Sequence, residues 1–308
     1  MESVELRKIV EDLKSPRPFV RGKAVDTLMH LRDEAAIPAL FKIVQKEMDF
    51  IKVQYCRFIG RTRSAAGVAP LVAFILGSSE KVAAEATAAL DLIDHDKKTE
   101  ALIYLVGEKN RFAKIYAMKA LAAERKIKAV PVLVNALSTG DPELKELAID
   151  TLRQIGDAAA IAPLVTLLED PEIRTLYVTI YALGDIGDKS TAARIAPFLR
   201  HEDADIRRAA VWALAKLHYS RLVPTYIEML KSDPSDEVRE EVCRRLGAVG
   251  GRQVVEPLCA AKVSDKAHNV RVYAEWALQE ILGETKDAPL AREIEEFLKG
   301  TSRREAAP

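Results

Sequence analysis

Tyr181, Trp212, Arg244 and Trp276 follow one another at intervals of 31, 32 and 32 residues, and both tryptophans of this 308-residue chain are among them. About one helical turn earlier, the same face would carry Tyr177, Arg208 and Tyr273 beside Glu240 and Glu241. These residue types do the chemistry of recognition. Tyr, Trp and Arg combine a large contact area with a polar handle and are enriched at binding hot spots. A strip of Tyr177, Tyr181, Arg208, Trp212, Arg244, Tyr273 and Trp276 is therefore expected to bind a protein or peptide partner. Covalent and metal chemistry find no such support. The histidines, at 30, 95, 201, 218 and 268, show no HxxxH or HExxH spacing, and only His201-Glu202 forms a His-Glu pair. Asp94-His95-Asp96 reads as a solvated turn, and neither a glycine-rich phosphate loop nor a nucleophile elbow is present. No catalytic residue, metal or cofactor is expected, and the chain is expected not to be an enzyme.

The strip is positioned by a repeat. Ala-rich segments end in an aliphatic residue at Leu28, Ile59, Leu90, Leu121, Leu152, Leu183, Leu214, Leu246 and Leu278. A period of 31 to 32 suits a helix-turn-helix unit, which cannot bury its apolar face alone and must stack on its neighbours. The second helix of each unit begins Val-Arg or Ile-Arg at Val20, Ile206, Val238 and Val270, with alanines at 24, 86, 117, 148, 210 and 274 that allow close helix approach. First helices open near Pro38, Pro70, Pro131, Pro163, Pro224 and Pro257, where a missing N–H costs least. Asp141-Pro142, Asp170-Pro171 and Asp233-Pro234 read as caps for second helices. Gly60, Gly156, Gly187 and Gly250 read as left-handed helix ends. Two units depart from the pattern: one has Glu100-Ala101 at the proline position, the other has Arg194 there with Pro197 a turn further in, which should kink or shorten its helix.

The unit D-P-x-x-V-R-x-x-A-x-x-A-L-G-x-[IV]-G followed by A-x-x-P-L-x-x-L resembles the short HEAT repeats first associated with phycobilisome lyases, over essentially the whole chain. The resemblance implies an all-α fold, an α-solenoid of about nine hairpins in which second helices line the concave face. One array is expected over 1–300, with a capping helix at 288–299 and a disordered tail at 301–308. The first functional expectation is a scaffold or adaptor. From a different class, the resemblance implies a chromophore lyase, in which the strip would cradle a tetrapyrrole. HEAT-like DNA-repair proteins imply a third reading, and HEAT-type deoxyhypusine hydroxylases imply several His-Glu pairs that are not found here.

Lys+Arg and Asp+Glu are equal at 46 each, so no global field draws the chain to nucleic acid, which is not an expected partner. Charge is nevertheless divided: residues 97–128 hold nine bases against three acids, and residues 141–188 hold ten acids against three bases. Lys109, Arg111, Lys114, Lys119, Arg125 and Lys126 form a candidate electrostatic patch for a complementary partner. The cysteines at 56, 243 and 259 have no CxxC spacing and suit a reducing compartment. The opening MESVELRKIVEDL lacks an apolar h-region and no stretch approaches the ~20 apolar residues of a membrane span, so no membrane contact and a cytoplasmic location are expected.

Overall fold

The final aliphatic residue of every second helix, from Leu28 to Leu278, is buried, as is the residue four before it, from Ala24 to Ala274. From the second repeat on, the residue eight before it, such as Ile51, Val82, Ile206 or Val238, is buried too, so one stripe at helical period faces inward, while Val20 of the first repeat is half-buried. The computed structural model describes residues 3–31, 33–218 and 220–305. They form two compact units, Met1–Ile155 and Gly156–Pro308.

In the first unit the helices are α1 (Ser3–Lys14), α2 (Pro18–His30), α3 (Ala36–Val44), α4 (Asp49–Thr62), α5 (Val68–Gly77), α6 (Glu80–Asp91), α7 (Asp96–Gly107), α8 (Arg111–Ala123), α9 (Val130–Ala136) and α10 (Pro142–Ile155). Even-numbered helices are the second members of their hairpins and stack on one another, α2 on α4 and α4 on α6. An aromatic group fills the space beneath them: Phe74 meets Phe41 and Tyr55 edge-on, and the buried Tyr55 hydroxyl donates to the Ile37 carbonyl at 2.6 Å.

In the second unit they are α11 (Ile161–Thr166), α12 (Ile173–Ile186), α13 (Ala192–Ile195), α14 (Ala204–Lys216), α15 (Val223–Ser232), α16 (Asp236–Val249), α17 (Arg252–Ser264), α18 (His268–Glu284) and α19 (Ala288–Glu305). Here α12, α14, α16 and α18 stack in order. The shortening expected at Pro197 is present: α13 is one turn and gives way to a 3-10 segment, Ala196–Arg200. Pro257 lies inside α17, which starts five residues earlier than the proline suggests. The capping helix α19 runs on through residue 305, so that 301–305, expected as disordered tail, are helical, while 306–308 lie outside the described residues.

Two local readings are corrected. Gly156, Gly187 and Gly250 do adopt positive φ, but Gly60 sits inside α4 facing Ala89, and the left-handed end of that helix is Arg63 at φ 53°. Gly60 therefore serves close approach, not chain reversal. Asp233 is not the cap of α16; Ser235 is, its hydroxyl accepting from the Val238 N–H at 3.3 Å. Nor is Asp170 the cap of α12, where Glu172 holds that position and Asp170 accepts from the Glu172 N–H at 2.9 Å.

The Asp233 carboxylate instead belongs to a ladder that ties neighbouring repeats. Arg207 donates to both oxygens of Asp233 at 2.8 Å, and Arg239 to both oxygens of Asp265 at 2.8 and 2.9 Å. Each arginine also donates to two backbone carbonyls before its own helix, His201 and Glu202 for Arg207, Asp233 and Pro234 for Arg239. Such bidentate, carbonyl-backed pairs are the geometry in which a buried charge is compensated. Burial by itself would raise the Asp265 pKa, but Arg239 and the Ala267 N–H outweigh it and hold the carboxyl below its ordinary range.

Asp265→Asn should destabilise the second unit by about 3 kcal/mol, because it leaves the Arg239 guanidinium buried without its counter-charge. The depressed folded pKa makes the wild-type contribution complete above the unfolded-chain value of ~4 and lost as pH falls through the folded one. Urea unfolding followed by circular dichroism should show a gap between wild type and variant that is largest at neutral pH and narrows below about pH 4.

Candidate functional site

The side chains singled out on the second helices of the second unit meet in two groups. On α12 and α14 the ring centroids of Tyr177 and Tyr181 are 4.8 Å apart, and those of Tyr181 and Trp212 are 4.6 Å apart. Lys216 places its ammonium 5.6 Å from the Trp212 ring centre, one turn further along α14. On α16 and α18, the Arg244 guanidinium lies 4.3 Å from the centre of the Tyr273 ring, and Tyr273 meets Trp276 edge-on at 5.0 Å. Among the described residues no ring or cation–π contact joins Trp212 to Arg244, so the strip is two aromatic and cationic clusters in sequence.

Local packing explains why these rings gather. Gly184 of α12 lies against α14 so closely that an added Cβ would fall 2.8 Å from the Ala213 Cβ and 2.9 Å from the Trp212 ring. Backbones drawn together at that point bring Tyr181 and Trp212, each two residues before its final aliphatic, into ring contact. Trp212 is half-buried, whereas Trp276 is 56% exposed.

Arg208 lies beneath the first cluster. Burial works against its charge, but Asp205, to which it donates at 2.7 Å, and the neighbouring Tyr181 and Tyr177 hydroxyls outweigh that and raise its pKa. Its Nε is buried and makes no hydrogen bond among the described residues. Burial, and then the hydrogen bond with Tyr177, push the Tyr181 phenol well above its ordinary range, so it stays neutral at any physiological pH. Between the clusters lies buried Glu241, which accepts from Arg245 at 2.6 Å and stands 3.6 Å from Arg244. A cleft of about 550 Å³ adjoins the first cluster, lined by Lys216, His218, Tyr226 and Arg245 with Val223 and Val249.

Lys216 and this cleft were not among the residues expected from the sequence. The i, i+4 spacing from Trp212 to Lys216 on one helix is the signal that could have found the first. The cleft depends on the inter-repeat gap and has no such signal.

The candidate patch in the first unit is divided. Arg111 opens α8, a helix about 20 Å long by its residue count, and Lys126 lies past its other end. Arg111 is engaged by Asp141 at 3.0 Å and by Glu143, and Lys126 by Glu124 at 3.3 Å. Arg125 occupies a left-handed position at φ 48°, where a cation offsets the negative end of the helix. Lys109 and Lys119 are exposed and Lys114 half-exposed, and among the described residues these three make no ion pair.

A family model of HEAT repeats matches residues 99–178, 163–225 and 192–279, more than half of the chain. The chain is a HEAT-repeat protein. It is related to phycobilin lyases. It is 33% identical over 151 residues to the bilin biosynthesis protein PecE of Mastigocladus laminosus, a match covering 48% of this chain and 55% of that one. It is 34% identical over 150 residues to the phycocyanobilin lyase subunit alpha of a Picosynechococcus strain, covering 44% and 54%. The chain thus spans about half the length of the curated relatives it matches. A solved structure described as Kap95p bound to RanGDP has a TM-score of 0.62 over 93% of this chain and 46% of that one, at 13% identity, which shows the fold alone.

These relatives overturn the expectation that the chain is not an enzyme, since the proteins it resembles are named for bilin biosynthesis and for lyase activity. That expectation rested on missing motifs for metal and hydrolytic chemistry, which have no bearing on a lyase. Among the described residues no helix is long and apolar enough to cross a membrane.

The packing of the first cluster can be tested at its backbone. Gly184→Ala should cost about 1–3 kcal/mol by overpacking and should displace the Trp212 ring. A Trp276→Phe background, in which Trp212 is the only tryptophan, should then show increased iodide quenching of its emission. Unchanged quenching and stability would remove Gly184 as the residue that sets the ring contact.

Proposed function

We propose that the chain acts as a bilin lyase-like protein, holding an open-chain tetrapyrrole on the second helices α12, α14, α16 and α18. The observation that carries the reading is the pairing of aromatic faces with cations in both clusters, Tyr181 and Trp212 with Lys216, and Tyr273 and Trp276 with Arg244. A conjugated tetrapyrrole offers extended π surface to such rings, and its carboxylate side chains suit guanidinium and ammonium groups. Lys216 has no acidic partner among the described residues, and the pair between Arg244 and Glu241 is long at 3.6 Å, so both cations are available to a carboxylate. The lyase relatives support the same reading, because bilin chemistry is the property their names share.

Two relatives of the chain are further named as subunits of a lyase. That supports a protein partner working with this chain, and it is the form in which the adaptor expectation survives. The pigment would lie on the aromatic strip, and the partner would supply surface that the strip alone lacks.

Titration of the purified chain with phycocyanobilin, followed by visible absorbance, should give a saturable spectral change. Trp212→Ala and Arg244→Gln should each weaken binding roughly tenfold, equivalent to ~1.4 kcal/mol per variant. A chain that leaves the pigment spectrum unaltered at high micromolar concentration would overturn the proposal.

A further inference from the structure

Three phenylalanines of the first unit are exposed at one register position. Phe19, Phe50 and Phe112 are each the second residue of a second helix, α2, α4 and α8, and all three are exposed, Phe19 to 83%. Met48, which precedes α4, is 60% exposed on the same edge. The corresponding positions of α10, α14 and α16 hold Glu143, Asp205 and Glu237, as an exposed helix start ordinarily would. Exposed large apolar residues scattered singly are unremarkable, but a row of them on the same turn of parallel stacked helices marks an interaction surface.

The unpaired charges around the row are mostly positive. Arg17, Lys46, Lys81 and Lys109 are exposed beside it and make no ion pair among the described residues, whereas most acids nearby are engaged. Glu47 is held by Lys14, Asp49 by the Ser79 hydroxyl, and Asp141 and Glu143 by Arg111. Glu80 is the exposed exception. The residues before α2, α4 and α6, namely Arg17, Met48 and Ser79, provide no side-chain cap, so the starts of these helices offer N–H groups without a side-chain acceptor.

From this we infer that the edge formed by the first turns of α2, α4, α6 and α8 docks an acidic amphipathic helix of a partner protein. Stacked helices such as α2, α4 and α6 recur every 8–10 Å, and two turns of a helix advance about 10.5 Å, so a helix laid across these layers and on toward α8 presents one residue to each stacked layer at heptad spacing. Its apolar stripe covers Phe19, Met48, Phe50 and Phe112, and its flanking carboxylates meet Lys46, Lys81, Lys109 and the uncapped N–H groups. Lys81 interrupts the aromatic row at α6, which suits a partner with interleaved acids. The surface lies in the first unit and is independent of the strip assigned to the pigment.

The test uses the full chain and a fluorescein-labelled designed helix of about 22 residues with leucines at heptad spacing and glutamates beside them. Controls are the same peptide with lysines for glutamates, and phosphatidylcholine vesicles carrying one-third phosphatidylserine. Anisotropy should report saturable binding of the acidic peptide, at least tenfold weaker for the Phe19→Ser/Phe50→Ser/Phe112→Ser variant, for the Lys46→Gln/Lys81→Gln/Lys109→Gln variant and for the lysine peptide. All six side chains are exposed, so circular dichroism should be unchanged, and if the first variant loses its fold the second decides alone. An intact chain that ignores the acidic peptide, binds both peptides alike, or loses nothing on substitution overturns the inference, as does binding to vesicles without binding to peptide.

Discussion

At three places within the two units, second helices of neighbouring repeats meet almost backbone to backbone, and much else in the molecule follows from that contact. Gly60 faces Ala89, Gly184 faces Ala213, and Gly247 faces Ala277, each glycine leaving no more than about van der Waals room for a methyl group. Each glycine directly follows the final aliphatic of its helix, and each alanine directly precedes that of the next. A helix pair of this kind cannot bury its apolar stripe alone, so stability comes from neighbour on neighbour. In the second unit the Arg207–Asp233 and Arg239–Asp265 pairs add a polar tie at the other end of the same helices. The repeat is thus held at two points, small residues near one end of the second helix and a buried ion pair near the other.

This arrangement determines which side chains are left for a ligand. With the positions beside the final aliphatic occupied by backbone contact, the column two residues before it lies at the surface, and its members on consecutive helices come within reach of each other. Tyr181 touches Trp212 across that gap, and Arg57 reaches Glu85, which lies a turn before the column on the next helix, at 3.1 Å. The close approach that stabilises the stack therefore also assembles the aromatic groups, without any residue having to serve both purposes. Gly184 comes nearest to an exception, because the atom its missing Cβ would strike belongs partly to Trp212.

How much of this could be read from the sequence depended on whether a residue's role is local or tertiary. The hairpin period, the buried stripe and the shortened helix at Pro197 are consequences of helical periodicity and of proline's missing N–H, and all were legible. Gly60 was not, because a left-handed end and a close approach both demand glycine, and only the neighbouring helix distinguishes them. Asp233 resembled a helix cap because a cap and an inter-repeat acid can both precede a second helix; the distinction rests on Arg207, 26 residues away. The aromatic column was legible as geometry, but its division into two clusters was not. The exclusion of enzymatic function failed for another reason: it drew on motifs for metals and activated nucleophiles, whereas the relatives are named for bilin biosynthesis and lyase activity, on which those motifs do not report.

The two units use that surface column differently. In the first, Arg57 is tied to Glu85 and Asp150 to Arg153, so that these two surface charges are neutralised locally, while Lys119 stands exposed. Exposed pairs of this kind add little stability, with a typical worth of 0–1 kcal/mol, and they leave little unsatisfied chemistry for a flat conjugated ligand. In the second, Tyr181, Trp212 and Trp276 hold the equivalent positions, Arg244 lies over Tyr273, and one tryptophan remains largely in solvent. Keeping a ring of that size exposed wins nothing from burial, so its retention at a position free of packing duty is better explained by something that covers it. The same reasoning applies to the phenylalanine edge of the first unit, where the apolar residues stand in helix first turns that acidic side chains would stabilise more. Both surfaces depart from what folding alone favours, and they do so at positions that the stacking contact leaves unconstrained.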